Sequence, residues 1–322
     1  MKLDMHFHSN LSDGRLTNEE IIKLAKTSGL DFVTCTDHDI INTEFPVMAK
    51  LAWLESVEAV EISWTDMRTW LHMHLTCYSQ KFTKRVHDIL DESKLWRQNK
   101  MKKQIELLSS FWFNINWDSF YEYFAKKWVN VDNFNSSHLS YYVLRDEHNA
   151  DLLEKLTWRR MEHDEFIKTC LKEKGEFNWI WSVTVPEYEP SLEVCWQFAT
   201  ESRAVLSIAH PNFKLTQEEF KERIEYYLDC WINAVEINSR ASEDWVKLIL
   251  KYQKKYWYIL TFWSDCHFKV WDDKEHAWFW FGNKRIDEDL LGVNIYHFKK
   301  KIWLMDWFRK IVLRDELWDD IA

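Results

Sequence analysis

Short apolar runs that read as strands alternate with amphipathic helical stretches at both ends of this chain, and that rhythm admits few folds. Leu3 to Phe7 reads as a strand. Thr17-Asn18-Glu19-Glu20 is a capping box, with Thr17 as N-cap and Glu20 three residues on. The helix that follows stops at Gly29, a natural C′ residue. Phe32 to Thr36 is a strand running into Asp37-His38-Asp39, and Val57 to Ser63 and Leu71 to Tyr78 are further strands. The rhythm returns later. Leu192–Ser202, Gln217–Leu228 and Ser242–Lys255 read as helices, and Ala204–Ala209, Ala234–Asn238 and Tyr258–Phe262 as strands. Such alternation predicts an α/β fold with a parallel sheet or barrel, whose sites lie at the carboxyl ends of strands. Residues from about 84 to 178 break the pattern: they are charged, aromatic and helical in periodicity, and read as an insertion. Ile302 to Leu317 reads as an amphipathic helix. The expected organisation is a discontinuous unit of 1–83 and 179–300, a helical insertion or cap at 84–178, and a C-terminal helix at 301–322.

Of the 322 residues, 46% are hydrophobic and 29% charged, enough for a packed core. The net charge of −10 argues against non-specific binding to nucleic acid or membrane, and against long duplex DNA as a substrate. The MKLDMHFHSN start has no apolar leader-like segment, and no 18-residue apolar run follows. The six cysteines form no C-x-x-C pair, so reduced thiols in a cytoplasmic protein are expected.

One imbalance stands apart: 21 tryptophans against 5 glycines. Ordinary chains carry roughly 7% glycine. Several tryptophans sit where turn chemistry favours glycine, as in Lys255-Tyr256-Trp257-Tyr258 and Lys269-Val270-Trp271-Asp272-Asp273. Some bacteria decode UGA as glycine. The hypothesis is that many of these tryptophans are glycine in the native gene product.

Candidate metal ligands gather at the strand ends. His6 and His8 are two apart and share a strand face, as do His72 and His74. Asp13 lies in the Ser12-Asp13-Gly14 turn, His38 follows a strand, and Glu61 sits within Val60-Glu61-Ile62. His210 ends a strand in Ala209-His210-Pro211, and Asp265 and His267 follow the last strand. Each feature alone is commonplace, since His-x-His pairs are usually just neighbours on a strand. Together they describe imidazoles and carboxylates brought to one end of a sheet, where they can bind divalent cations. His72 reads better as a packed neighbour of His74 than as a ligand.

The ordered set His6-Phe-His8, Ser12-Asp13-Gly14, Thr36-Asp37-His38-Asp39, Glu61, His74-Leu-Thr-Cys-Tyr78, Asn135-Ser-Ser-His138, Tyr188-Glu-Pro-Ser191, Ser207-Ile-Ala-His210-Pro211 and Ser264-Asp265-Cys-His267 resembles the PHP (polymerase and histidinol phosphatase) metal-dependent phosphoesterases. The resemblance covers about residues 1–82 and 182–285. It implies a distorted, TIM-like (β/α)7 barrel of PHP type holding two or three divalent metal ions (Mn, Zn, Fe or Mg). It further implies that His6, His8, Glu61 and Asp265 hold one ion, with Glu61 bridging to a second held by His74 and His138. Asp13, His38 and His267 would hold a third, and His210 would contact the phosphate. The chain departs from the family pattern at Ser136, where an arginine is common, and at Trp263, where glycine is usual. Trp64, Trp70, Trp231 and Trp278 stand at similar glycine positions.

The implied activity is hydrolysis of a phosphate ester by a metal-activated hydroxide. Glu61, His210 and His267 are the candidate catalytic groups, the last two protonating the leaving group or orienting the phosphate. The implied substrate is a small phosphorylated molecule, a nucleotide or an oligonucleotide end as for an exonuclease, with the insertion shaping the mouth of the site. Histidinol phosphate hydrolysis is one alternative. A catalytically inactive PHP-like metal-binding or interaction module is another.

Overall fold

The fold is that of a computed structural model describing residues 2–66, 68–69, 71–127, 130–171, 175–177, 190–238, 241–267 and 290–302. Among the described residues there are seven strands: β1 Leu3–Phe7, β2 Phe32–Cys35, β3 Glu58–Asp66, β4 Leu71–Ser79, β5 Val205–Ile208, β6 Ala234–Asn238 and β7 Ile259–Trp263. Helices α1 (Asn18–Thr27) and α2 (Glu44–Leu51) flank β2 in sequence, and α8 (Leu192–Glu201), α9 (Pro211–Lys214), α10 (Gln217–Asp229) and α11 (Glu243–Tyr256) accompany the later strands. Between β4 and α8 lie α3 (Lys84–Ser110), α4 (Trp117–Ala125), α5 (Ser136–Leu144), α6 (Glu147–Thr157) and α7 (His163–Cys170).

The strands form two sheets, where the sequence led us to expect a (β/α)7 barrel. β1 and β2 pair in parallel, and β3-β4-β5-β6-β7 form the second sheet. β4 is antiparallel to both β3 and β5, a correction to the all-parallel expectation. The reason is the connection: residues 67–70 are too few for a crossover helix, so β3 can only turn back on itself. Isolated bridges link the sheets, from Phe7 to Cys266, Phe32 to Glu55 and His38 to Glu61. The Phe7–Cys266 and His38–Glu61 bridges bring the carboxyl ends of β1 and β2, and the chain just past β7, to β3 at Glu61.

The capping box at Thr17 forms as the sequence dictates, with Glu20 N donating to Thr17 Oγ1 at 3.3 Å and Thr17 N donating to Glu20 Oε2 at 2.9 Å. Gly14 is required by close approach, since a Cβ there would stand 2.2 Å from the His8 carbonyl oxygen. That approach lets the Ser9–Gly14 turn fold beneath His8.

Apolar side chains collect in three clusters. The main one joins β3 to β7 with α10 and α11, the second lies within residues 101–171, and a small one links α1, α2 and β2. Helix α3 serves two of them: Val86, Ile89 and Leu90 pack on the sheet, while Met101, Ile105 and Leu108 enter the insertion's core of Phe120, Phe124 and Phe134. All six cysteines are thiols without disulfides, and no described helix is long and apolar enough to cross a membrane.

The candidate glycine replacements fall in different settings. Trp64 is a buried core residue packed edge-on to Tyr227, whereas Trp231 and Trp257 are exposed at positive φ. Trp70, Trp271, Trp278, the side chain of Trp263, Tyr188 and Glu189 of one motif and most of the expected helix at 302–317 lie outside the described residues.

Candidate metal centre

The carboxyl ends of β1, β2, β5 and β7 and the amino half of the antiparallel β4 converge on Glu61. This residue sits in β3 and is fully buried among imidazoles. Its Oε1 lies 2.8 Å from His74 Nδ1 on β4 and 2.7 Å from His210 Nε2 just past β5. Its Oε2 lies 2.9 Å from His38 Nδ1, 3.4 Å from His8 Nε2 and 3.5 Å from His6 Nε2. Despite those neighbours, Oε2 accepts no hydrogen bond with usable geometry. Imidazole nitrogens that crowd a carboxylate oxygen without bonding to it are arranged as co-ligands of a shared cation. The residues therefore fit a divalent metal.

Three sets of donors are close enough to share ions. His6, His8 and Glu61 form one set. Asp265 joins it, with Oδ1 3.4 Å from His8 Nε2 and 3.8 Å from His6 Nε2. His38, Glu61 and His74 form another. His8, Asp13, His38 and His267 form the third, in which Asp13 Oδ1 lies 3.4 Å from His267 Nε2 and 3.8 Å from both His38 Nε2 and His8 Nδ1. His8 belongs to two sets because its two ring nitrogens face opposite ways, while the His267 ring stacks on it at 4.0 Å.

Two sequence-predicted residues are placed differently from the rest. His138, at the start of α5, lies between Phe124 and Phe134, with Nδ1 2.9 Å from Asn135 Oδ1, and is in none of these donor sets. His210 instead enters the Glu61–His74 group, with Nε2 3.2 Å from His74 Nδ1. His72 packs edge-on to His74 at 5.4 Å, as a neighbour would.

Burial sets the electrostatics. Desolvation pushes the Glu61 carboxyl up, but His38, His74 and His6 outweigh it and hold the group well below the usual range. Burial likewise pulls His6 down, yet Glu236 and Glu61 hold it well above the ordinary imidazole range. His38 is raised against its own burial by Glu61 and Asp13. His74 goes the other way, held well below by burial and by Lys214. Burial would raise Asp265, but His267 and His8 keep it low.

Sequence reasoning missed Glu236. It lies in β6 among Val235 and Ile237, completely buried. Its Oε1 is 3.0 Å from His6 Nδ1 and accepts from the Thr76 hydroxyl at 2.8 Å, and its Oε2 accepts from the His210 backbone N–H at 2.9 Å. A carboxylate behind Nδ1 keeps the proton there, so Nε2 faces Glu61 as a donor. The available signal was one acid inside an apolar strand. Asp37 acts similarly for the loop: its carboxylate accepts from Ser9 N at 2.8 Å and from the hydroxyls of Ser9 and Ser12 at 2.6 Å. Burial pushes the Asp4 carboxyl up to about 6, against hydrogen bonds from Ser264 and His6. Three non-glycine residues of the centre stand at positive φ, Asp39 at 49°, His210 at 35° and Asp265 at 54°. Backbone strain of this kind concentrates at functional sites.

No family model and no curated protein sequence matches the chain. Solved structures do. A protein from Bifidobacterium adolescentis named as a metal-dependent phosphoesterase superposes with a TM-score of 0.63 at 17% identity, covering 91% of this chain and 95% of that one. An amidohydrolase from Chromobacterium violaceum, solved with sulfate and no metal, gives 0.62 at 18% identity, covering 83% of this chain and 88% of that one. A two-domain protein from Bacteroides vulgatus with a PHP-like phosphoesterase domain overlaps more loosely, with a TM-score of 0.38 at 12% identity, over 83% of this chain and 52% of its own. At such identities the likeness is one of fold.

Proposed function

We propose that this chain, which has the fold of PHP-like metal-dependent phosphoesterases, hydrolyses phosphate esters of small molecules such as nucleotides or short oligonucleotide ends. The observation that carries the reading is Glu61: one buried carboxylate whose two oxygens face five histidines, two at the end of β1, one within β4, one just past β5 and one in the β2–α2 loop. Mixed imidazole and carboxylate donors suit zinc, manganese or iron. The bridges that tie β1 to the end of β7 and β2 to β3 support a distorted barrel around this centre.

Two or three divalent cations bound there would lower the pKa of water toward neutrality and offset phosphate charge. The protein's own groups set the stage for that chemistry. Glu61 holds the two donor sets in register, and Glu236 fixes the tautomer of His6. His267, half-buried beside Asp13, would offer Nε2 as a ligand in the set of His8, Asp13 and His38. His210 is read as a ligand neighbour of His74. The six thiols suit a reducing, cytoplasmic setting.

The test is metal analysis of the purified chain together with assays on nucleotides, short oligonucleotides, histidinol phosphate and an amide substrate. Turnover of phosphate esters that is lost on chelation and restored by Mn²⁺ or Zn²⁺ is expected. Full turnover with metal verifiably removed, or no cation binding, rules the reading out.

A further inference from the structure

The helical insertion reaches into the cation centre through asparagines. Asn135 is the N-cap of α5: its Oδ1 accepts from Ser137 N at 3.0 Å and from His138 N at 3.4 Å. Those backbone donors decide which way the amide faces, so the NH₂ must point outward. It points at Asp13, donating to Oδ2 at 2.8 Å. The other oxygen of Asp13 is the one that faces His267, His38 and His8. A second asparagine repeats the device on the neighbouring ligand, with Asn133 Nδ2 donating to the His38 carbonyl at 2.7 Å. Arg97 of α3 bonds both Asn133 and Asp39, joining the insertion to the loop that carries His38.

We propose that Asn135 is a positioning residue for the cation subsite of His8, Asp13, His38 and His267, so that the insertion completes this subsite as well as covering it. The inference rests on the metal-binding reading above. The informative variant is Asn135→Asp, which keeps an oxygen to cap α5 and replaces the donor with an anion facing Asp13. Cation titration by calorimetry, with stoichiometry by elemental analysis, compares it with the unmodified chain. The expected result is an affinity about 10–100-fold weaker for one cation, the size of an outer-shell effect. The remaining cations should bind as before, with an unchanged melting temperature for the metal-free protein. Asn135→Ser, which caps but is too short to reach Asp13, should show the same selective loss. Unchanged binding of every cation overturns the proposal, as does an equal loss at all subsites accompanied by a lower metal-free melting temperature. Failure of the unmodified chain to bind any cation sinks the functional reading instead, and is seen before any variant is made.

An independent observation concerns five tryptophans. Of the nine non-glycine residues at positive φ among the described residues, five are Trp53, Trp112, Trp158, Trp231 and Trp257, with φ between 59° and 70°. All five close helices and are 65–92% exposed. Three build the same double-bonded C-terminal motif. Leu54 N bonds Ala49 O and Trp53 N bonds Lys50 O; Phe113 N with Trp112 N, and Ile232 N with Trp231 N, repeat the pattern. The chain supplies its own reference: α1 ends in the same motif with Gly29 at φ 69°. Glycine is the residue this position favours, and a large, mostly exposed indole there gains little packing, Trp231 stacking on Trp196 at 5.9 Å, while bearing the left-handed strain. We infer that these five positions are glycine in the protein as its native cell makes it, the codon being read as glycine there. Peptide mass spectrometry of the protein from that cell should find glycine at each of the five. Tryptophan at these positions overturns the inference. In recombinant protein the five Trp→Gly changes should together raise the melting temperature, and a fall would contradict the conformational argument.

Discussion

Glu61 and Glu236 are both buried acids on strands, yet they do different work. Glu61 faces the imidazoles that surround it, and Glu236 stands behind one of them. Glu236→Gln should leave the fold intact but weaken cation binding about 10–100-fold, because His6 loses the charge that fixes its tautomer; calorimetric titration measures it. Protonation gives a second expectation. His6 and His38 are held above the ordinary imidazole range, so they keep their protons to higher pH than a solvated histidine. A cation must displace those protons. Affinity should therefore climb as pH rises through that raised range and fall as pH drops, with protons released on binding. His74, held low, has none to release. Calorimetry in buffers of different ionisation enthalpy counts the protons, and an affinity flat between about pH 6 and 8 would refute this account of the histidines. At this scale the His-x-His spacings were readable because strands alternate faces, whereas Asp265 and His267 lie past β7. Glu236 was not, since one acid in an apolar strand has no spacing to reveal it. The placements of His138 and His210 depend on helix and loop packing that sequence order does not encode.

Elements whose ends carry their own chemistry were the most legible. The capping box on α1 was written in Thr17 and Glu20, and Thr17→Ala should cost about 1 kcal/mol in denaturant unfolding. The insertion helices were visible from periodicity, but their mutual packing was not. Phe120, fully buried against Phe124, Phe134 and Tyr142, anchors that core. Phe120→Ala should destabilise the insertion by about 3–5 kcal/mol, read by chemical denaturation. The same change should loosen the asparagine contacts to Asp13 and His38, since Phe134 packs on Phe120 directly before Asn135. The antiparallel placement of β4 was hidden because strand direction follows from connection length, which hydrophobic pattern does not report. The β2 boundary fell one residue short of Thr36, where the chain bends toward His38.

Taken whole, the molecule consists of a sheet-centred unit and a helical insertion with its own apolar core, joined by α3 and by polar contacts at the cation centre. The α/β class followed from sequence rhythm. The two-sheet ladder did not, because which strands pair depends on connection lengths and on isolated bridges that rhythm does not report. The most direct measurement is anomalous diffraction from crystals soaked in Mn²⁺ or Zn²⁺ and collected at the metal edge. Two or three peaks within bonding distance of Glu61, His8 and Asp13 are the predicted result. Peaks only at the surface, with the centre unlabelled at saturating metal, would contradict the claim that these side chains enclose cations.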